Sequence, residues 1–286
     1  MRKKHSLASY QTVFCVGDIH GAIADLCDEI VAKKLSNSLV IVVGDIGIGL
    51  RPFMTEDMEL SYLQDTVAKM NTAVCFIRGN HDNPSYFHDL EHASKRWFDY
   101  LRNVHFVDDY DLIETRVGNF LAIGGARSID RIVKTEQSKL DENSGWNRWF
   151  TNEMVEHCDD ETEDWICSQK INYIVSHTAP IYAKPELVFN HEMEEFTKSD
   201  KTLKSDVKAE REYLADLGDV IGASSWIRKW IYGHFHMHKS EMISGTHYVC
   251  LDRMRVNKTT HQCDFDFFEV HPEKEVKLED IKSSEA

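Results

Sequence analysis

The stretch Thr12-Val13-Phe14-Cys15-Val16-Gly17-Asp18-Ile19-His20 sets the pattern for the whole chain: a short β-branched and apolar run, a glycine, then polar residues able to hold a ligand. The pattern returns at Leu39–Val43, which runs into Gly44-Asp45, and at Ala73–Ile77, which runs into Arg78-Gly79-Asn80-His81-Asp82. It returns twice more, at Ile171–Ser176 before His177 and at Trp230–Tyr232 before Gly233-His234-Phe235-His236. Strands that are apolar along their full length are those buried on both faces. Helical spacing fills the gaps between the first three. Ala22–Lys34 places Ile23, Leu26, Ile30 and, at its margin, Val31 on one face, and Thr55–Met70 turns Met58, Tyr62 and Val67 inward. Strands alternating with helices predict an α/β fold with parallel strands.

Further along, Asp111–Thr115 and Phe120–Ile123 read as a hairpin around residues 117–119, followed by a loop at Gly124-Gly125-Ala126-Arg127-Ser128. Residues 135–164 are charged and carry tryptophans, with helices expected near 151–157 and 160–169. Residues 184–213 read as a charged, helical excursion over the surface. More strands are expected at about 237–243, 246–251 and 263–270. The Lys-, Glu- and Ser-rich segment 272–286 reads as a frayed tail. The polar clusters spread from residue 18 to residue 236 and make sense only if the intervening chain folds together, so residues 1–271 are expected to form a single domain.

The 286 residues carry 33 Lys and Arg against 48 Asp and Glu, a formal charge of −15 at pH 7. A field of that sign repels polyanions and weighs against non-specific nucleic-acid binding. The seven cysteines show no C-x-x-C pair, and several sit in apolar runs, as reduced buried thiols do. No long apolar segment follows Arg2-Lys3-Lys4, so neither a signal peptide nor a membrane span is expected, and the setting reads as cytoplasmic.

In open α/β sheets ligands bind at the carboxyl ends of the strands, which is where all five clusters lie. They bring Asp18, His20, Asp45, Asn80, His177, His234 and His236 to one edge, too many donors for one ion and suited to two that share a carboxylate. In D-x-H and H-x-H, extended residues i and i+2 point the same way. Carboxylate, imidazole and amide oxygen without thiolate favour Mn, Fe, Zn or Mg, with Mn²⁺ expected first. Two such ions, roughly 4 Å apart, activate water and stabilise both oxygens of an in-line phosphoryl displacement.

Asp18-Ile19-His20-Gly21, Gly44-Asp45, Gly79-Asn80-His81-Asp82, Ser176-His177 and Gly233-His234-Phe235-His236 resemble, in order, the five blocks of the calcineurin-like metallophosphoesterases. The resemblance implies a four-layer sandwich, two packed mixed β-sheets flanked by helices. It implies that Asp18, His20 and His236 hold one metal, that Asn80, His177 and His234 hold the other, and that Asp45 bridges them. It further implies that His81 protonates the leaving oxygen and that Asp82 orients its imidazole. Gly44-Asp45 lacks the Asp and Arg that follow in the protein Ser/Thr phosphatases, and Asp82 stands where those enzymes carry Glu, so a dedicated phosphoprotein phosphatase is disfavoured. Gly124–Asp130 resembles a segment of bacterial and phage members of the superfamily.

Each residue also has a plainer reading. Asp18, Asp45 and Asn80 are singly good turn formers, and Ser-His-Thr around His177 is a common strand end. Arg127 and Arg131 offer guanidinium to a substrate phosphate but read equally well as surface charges. Arg78 reads as structural, and His238 and His247 as surface or packing residues. The run Trp146-Asn147-Arg148-Trp149-Phe150 suits a loop anchor better than a base-stacking platform. Rossmann spacing and a P-loop are both missing. The sequence therefore points to a metal-dependent hydrolase of a small phosphomonoester or phosphodiester, such as a nucleotide. A nuclease and a non-catalytic binding relative are the rivals, and the oligomeric state is left open.

Overall fold

The computed structural model describes residues 2–51, 53–88, 100–140, 150–185, 193–260 and 262–272, the side chains of 53, 54, 139 and 140 excepted. A five-stranded sheet runs in the order β14 (Phe267–Val270), β2 (Thr12–Val16), β3 (Ser38–Val42), β4 (Ala73–Ile77) and β5 (Val104–Val107). All its pairs are parallel except β14 with β2. A seven-stranded sheet runs in the order β1 (Lys4–Ser6), β6 (Leu112–Glu114), β7 (Asn119–Ile123), β8 (Tyr173–Ser176), β9 (Lys229–Tyr232), β11 (Thr246–Cys250) and β10 (Lys239–Ile243). Its centre, β7 to β11, is parallel, with antiparallel hairpins at β6–β7 and β10–β11. A two-residue pairing of β12 (Arg255–Val256) with β13 (Cys263–Asp264) completes the described strands.

Three apolar layers hold the sandwich together. Between the sheets, Cys15, Ile41 and Cys75 face Phe120, Val175 and Ile231. On the far side of the five-stranded sheet, Val40, Val42, Val74 and Phe76 pack on α1 (Ile23–Ala32) and α2 (Phe53–Lys69). On the far side of the other, Leu121, Ile174 and Trp230 pack on α5 (Asp160–Cys167) and α6 (Leu203–Ser224). Further helices are α3 (Ser85–His88) and α4 (Arg131–Leu140). Alternate strand residues point to opposite faces, so a strand caught between a sheet and a helix layer must be apolar throughout, as Ser38-Leu39-Val40-Ile41-Val42 nearly is.

Several sequence expectations need correcting. On α2, Met58 and Tyr62 are exposed, at 71% and 46%, and the buried positions are Glu56, Leu60, Leu63, Gln64 and Val67. Val31 on α1 is likewise exposed. Residues 151–157 form turns and coil rather than a helix, while the helix expected near 160–169 is α5 and a further one, α4, lies upstream. The charged stretch expected to ride over the surface instead leads into α6, whose Leu203, Val207, Glu210, Leu214, Leu217 and Ile221 form a buried 4-3-4-3-4 stripe. β1, β5 and β12 were not anticipated. Trp146 and Trp149, part of the 184–213 segment and the tail from 273 lie outside the described residues. All seven cysteines are free, and no helix among the described residues is long and apolar enough to cross a membrane.

Candidate metal centre

Register brings the polar clusters together. Val16 pairs with Val42, and Val42 with Phe76, so the residues that follow β2, β3 and β4 emerge side by side. In the other sheet Ser176 pairs with Tyr232, which sets His177 beside Gly233 and His234. The turns there are tight. His20, Asp45, His234 and His236 take φ of 45°, 48°, 68° and 51°, in the left-handed region that side chains other than glycine rarely occupy. Such backbone strain costs about 1–3 kcal/mol per residue and concentrates at functional sites. Gly44 (φ +103°) is required because a Cβ there would sit 2.2 Å from His177 Nδ1, and a Cβ on Gly233 would sit 2.1 Å from Asp18 Oδ1.

One group of donors comprises Asp18, His20, Asp45 and His236, each offering an atom within 4.8 Å of the others. The Nε2 atoms of His20 and His236 lie 3.1 Å apart, and His236 Nε2 is 3.4 Å from Asp18 Oδ2. Asp18 is fully buried and accepts the His234 backbone N–H on both oxygens at 3.1 Å. A second group forms around His177. Its Nδ1 lies 2.9 Å from the Val43 carbonyl and so donates to it, which aims Nε2 at Asn80 Oδ1 (2.9 Å) and Asp45 Oδ1 (3.1 Å). The His234 ring stands edge-on to that of His177, with centroids 5.0 Å apart. Asp45 is common to both groups: Oδ1 faces His177, while Oδ2 lies 3.9 Å from His20 Nδ1.

Electrostatics favour a cation here. Burial alone would raise Asp45, but the imidazoles of His177, His81 and His20 hold it well below the usual carboxylate range. Burial would lower His177, but the Asp45 and Asp18 carboxylates push it up to about 9. Burial drives His20 down and His234 well down, leaving neutral imidazoles, the form that ligates metal. Two buried carboxylates, an amide oxygen and converging ring nitrogens are a donor set that fits hard-to-borderline divalent ions.

The sequence-predicted residues around these groups take different positions. His81 sits at the cavity wall, its backbone N–H donating to Asp45 Oδ1 (2.8 Å) and its Nε2 3.8 Å from Asp45 Oδ2. Burial, with Lys134 and His20 adding to it against Asp45, lowers its imidazole to about 4. Asp82 does not face that ring. Its oxygens accept the N–H groups of Ile46, Gly47, Ile48 and Gly79 at 2.7–3.2 Å, which ties the loop after β3 to the end of β4. Arg127 is not among the residues lining the cavity beside the donors; its backbone N–H donates to Glu210 of α6 (3.0 Å), and its charge lowers Glu210 and Asp206. Arg131 is committed to Asp200 and Asp206. Arg78 is buried, bonded to Asp109 (2.5 Å) and to the carbonyls of Asn152, Glu153 and Met154. His238 and His247 pair with Asp266 and Ser240, away from the centre. A second grouping, His88, Asp109 and Glu156, already shares its buried carboxylate with Arg78.

Sequence reasoning missed three neighbours. Ser128 Oγ accepts from Asn80 Nδ2 (2.8 Å) and donates to Glu153 Oε2 (2.6 Å), which fixes the Asn80 amide with its oxygen towards His177. Lys134 of α4 places Nζ 2.8 Å from His81 Nε2 and 2.9 Å from Asp130 Oδ1. The cavity beside the donors, about 820 Å³, is lined by Lys134, Ile129, Phe196, Phe235 and Arg253, among others.

The family model described as calcineurin-like phosphoesterase matches residues 11–238. No curated protein matches the chain. Among solved structures, phosphopantetheinyl hydrolase from Mycobacterium tuberculosis is 16% identical, with a TM-score of 0.46 over 93% of this chain and 98% of that one. A dimetal phosphatase from Danio rerio is 12% identical, with a TM-score of 0.44 over 86% and 88%.

Proposed function

The chain belongs to the calcineurin-like phosphoesterases and is a hydrolase acting on ester bonds; from that premise we propose that it cleaves a small phosphomonoester or phosphodiester at a two-metal centre, with a nucleotide among the candidate substrates. The observation that carries this is the Asp45 carboxylate, with one oxygen turned to His177 and the other to His20. Asp18, His20 and His236 would hold one ion, and Asn80, His177 and His234 the other. Manganese is the expected occupant, with Fe, Zn or Mg as alternatives. When bound, two such ions supply an activated water and neutralise charge on the phosphoryl group.

The chain's own residues do the rest. The Val43 carbonyl fixes the tautomer of His177, and Ser128 with Glu153 fixes the amide of Asn80. Asp82 braces the backbone that carries Asp45. Burial and the Lys134 ammonium hold the His81 imidazole down, and a phosphate anion entering beside it pushes it back up, which favours the protonated ring that donates to the leaving oxygen. Both sheets contribute donors, which supports residues 1–271 as one unit, and free, largely buried cysteines support a cytoplasmic setting.

The test is hydrolysis of p-nitrophenyl phosphate and bis-p-nitrophenyl phosphate by metal-stripped protein with Mn²⁺ restored. Wild type should turn over at least one ester in a metal-dependent way, and Asp45→Asn should lose that turnover. His81→Ala should keep its metal and slow kcat by roughly 10²–10⁴. Equal turnover by wild type and Asp45→Asn would refute the two-metal reading.

A further inference from the structure

We propose that Lys134 contacts the substrate phosphate and selects dianionic phosphomonoesters over phosphodiesters, an inference that rests on the phosphohydrolase reading above. Asp130, Val133, Lys134 and Gln137 line one cavity with His20 and His81, so the face of α4 defined by the i, i+3, i+4, i+7 spacing roofs the centre. The Lys134 side chain is only 14% exposed, and among the described residues its ammonium has a single carboxylate partner, Asp130 at 2.9 Å. A second N–H reaches His81 Nε2, and the third has no partner among the described residues. An ammonium withdrawn this far from water gains much from a further anion.

Three other cations near the cavity are already committed. Arg51 is paired with both oxygens of Glu59, Arg131 with Asp200 and Asp206, and Arg255 with Asp252. Arg253 also lines the cavity but is exposed, whereas Lys134 is one imidazole away from Asp45. A phosphomonoester near neutral pH carries close to two negative charges and three non-bridging oxygens. A diester carries one charge and two such oxygens. One extra ammonium at the cavity wall therefore favours the monoester.

The experiment compares Mn²⁺-loaded wild type, Lys134→Ala, Lys134→Gln and Lys134→Arg. The readouts are kcat/KM on p-nitrophenyl phosphate and its bis-ester, and the Kd of inorganic phosphate by calorimetry. Wild type should prefer the monoester. Lys134→Ala and Lys134→Gln should lower monoester kcat/KM and weaken phosphate binding, each by about 10–100-fold, the range of one charge-assisted hydrogen bond. The diester should change far less, and Lys134→Arg should recover part of the loss. A diester-preferring wild type, equal losses on both esters, or an unchanged phosphate Kd would overturn the proposal. If wild type hydrolyses neither ester with any ion, the small-ester reading of the proposed function fails instead, and the phosphate Kd still decides whether Lys134 makes the contact.

Discussion

At Asn80 the two ends of one amide have different tasks. The oxygen faces His177 at 2.9 Å, and the nitrogen is spent on Ser128 Oγ, whose own proton goes to the buried Glu153. Removing the hydroxyl with Ser128→Ala leaves the amide free to turn its nitrogen inward, where it repels a cation. Partners of this kind are typically worth 10–100-fold in metal affinity. Ser128→Ala should therefore weaken Mn²⁺ binding by about that factor in a competition titration while leaving the fold intact by circular dichroism, and unchanged affinity would show that the amide needs no such support. That the candidate donors converge was legible from the sequence, because each follows an apolar strand run. Ser128, Glu153 and Lys134 were not, because Ser128 reaches Asn80 across 48 positions of chain, Lys134 reaches His81 across 53, and Glu153 joins only through Ser128, so nothing local marks them.

Among the elements, α2 shows how periodicity misleads when only apolar residues are counted. Its buried stripe is Glu56, Leu60, Leu63 and Val67, and it opens with an acid because Glu56 accepts the backbone N–H groups of Gly49 and Arg51. Discounting that acid shifts the apparent face to Met58 and Tyr62, about 160° round the helix from Leu60. Leu63→Ala should cost about 2–5 kcal/mol in denaturant unfolding, as a buried leucine does. Met58→Ala should stay within about 0.5 kcal/mol, and a reversal of that order would restore the original face. Strands were easier to read than helices here, because β2, β3 and β4 are apolar on both faces and end at glycine. The roof helix α4 stayed hidden because its Ile132 and Val133 are both more than a third exposed and its useful face is mostly polar.

Across the whole molecule, the candidate centre joins the two sheets. Asp18, His20, Asp45 and Asn80 follow strands of the five-stranded sheet, and His177, His234 and His236 follow strands of the seven-stranded one. Ions held by both sets would act as a clamp at the open edge of the inter-sheet core, and would also neutralise buried carboxylates in a chain of formal charge −15. A ligand that binds only the folded state stabilises it by mass action, about 2.7 kcal/mol at a hundredfold excess over Kd. For a chain of this size each kcal/mol moves Tm by roughly 2–4 °C. Mn²⁺ added to chelator-stripped protein should therefore raise Tm by about 5–10 °C. Asp45→Asn, which removes the carboxylate common to both groups, should lose most of that rise. A Tm indifferent to metal in wild type would mean that the donors of the two sheets are not held by a shared cation, and their convergence would then need another cause.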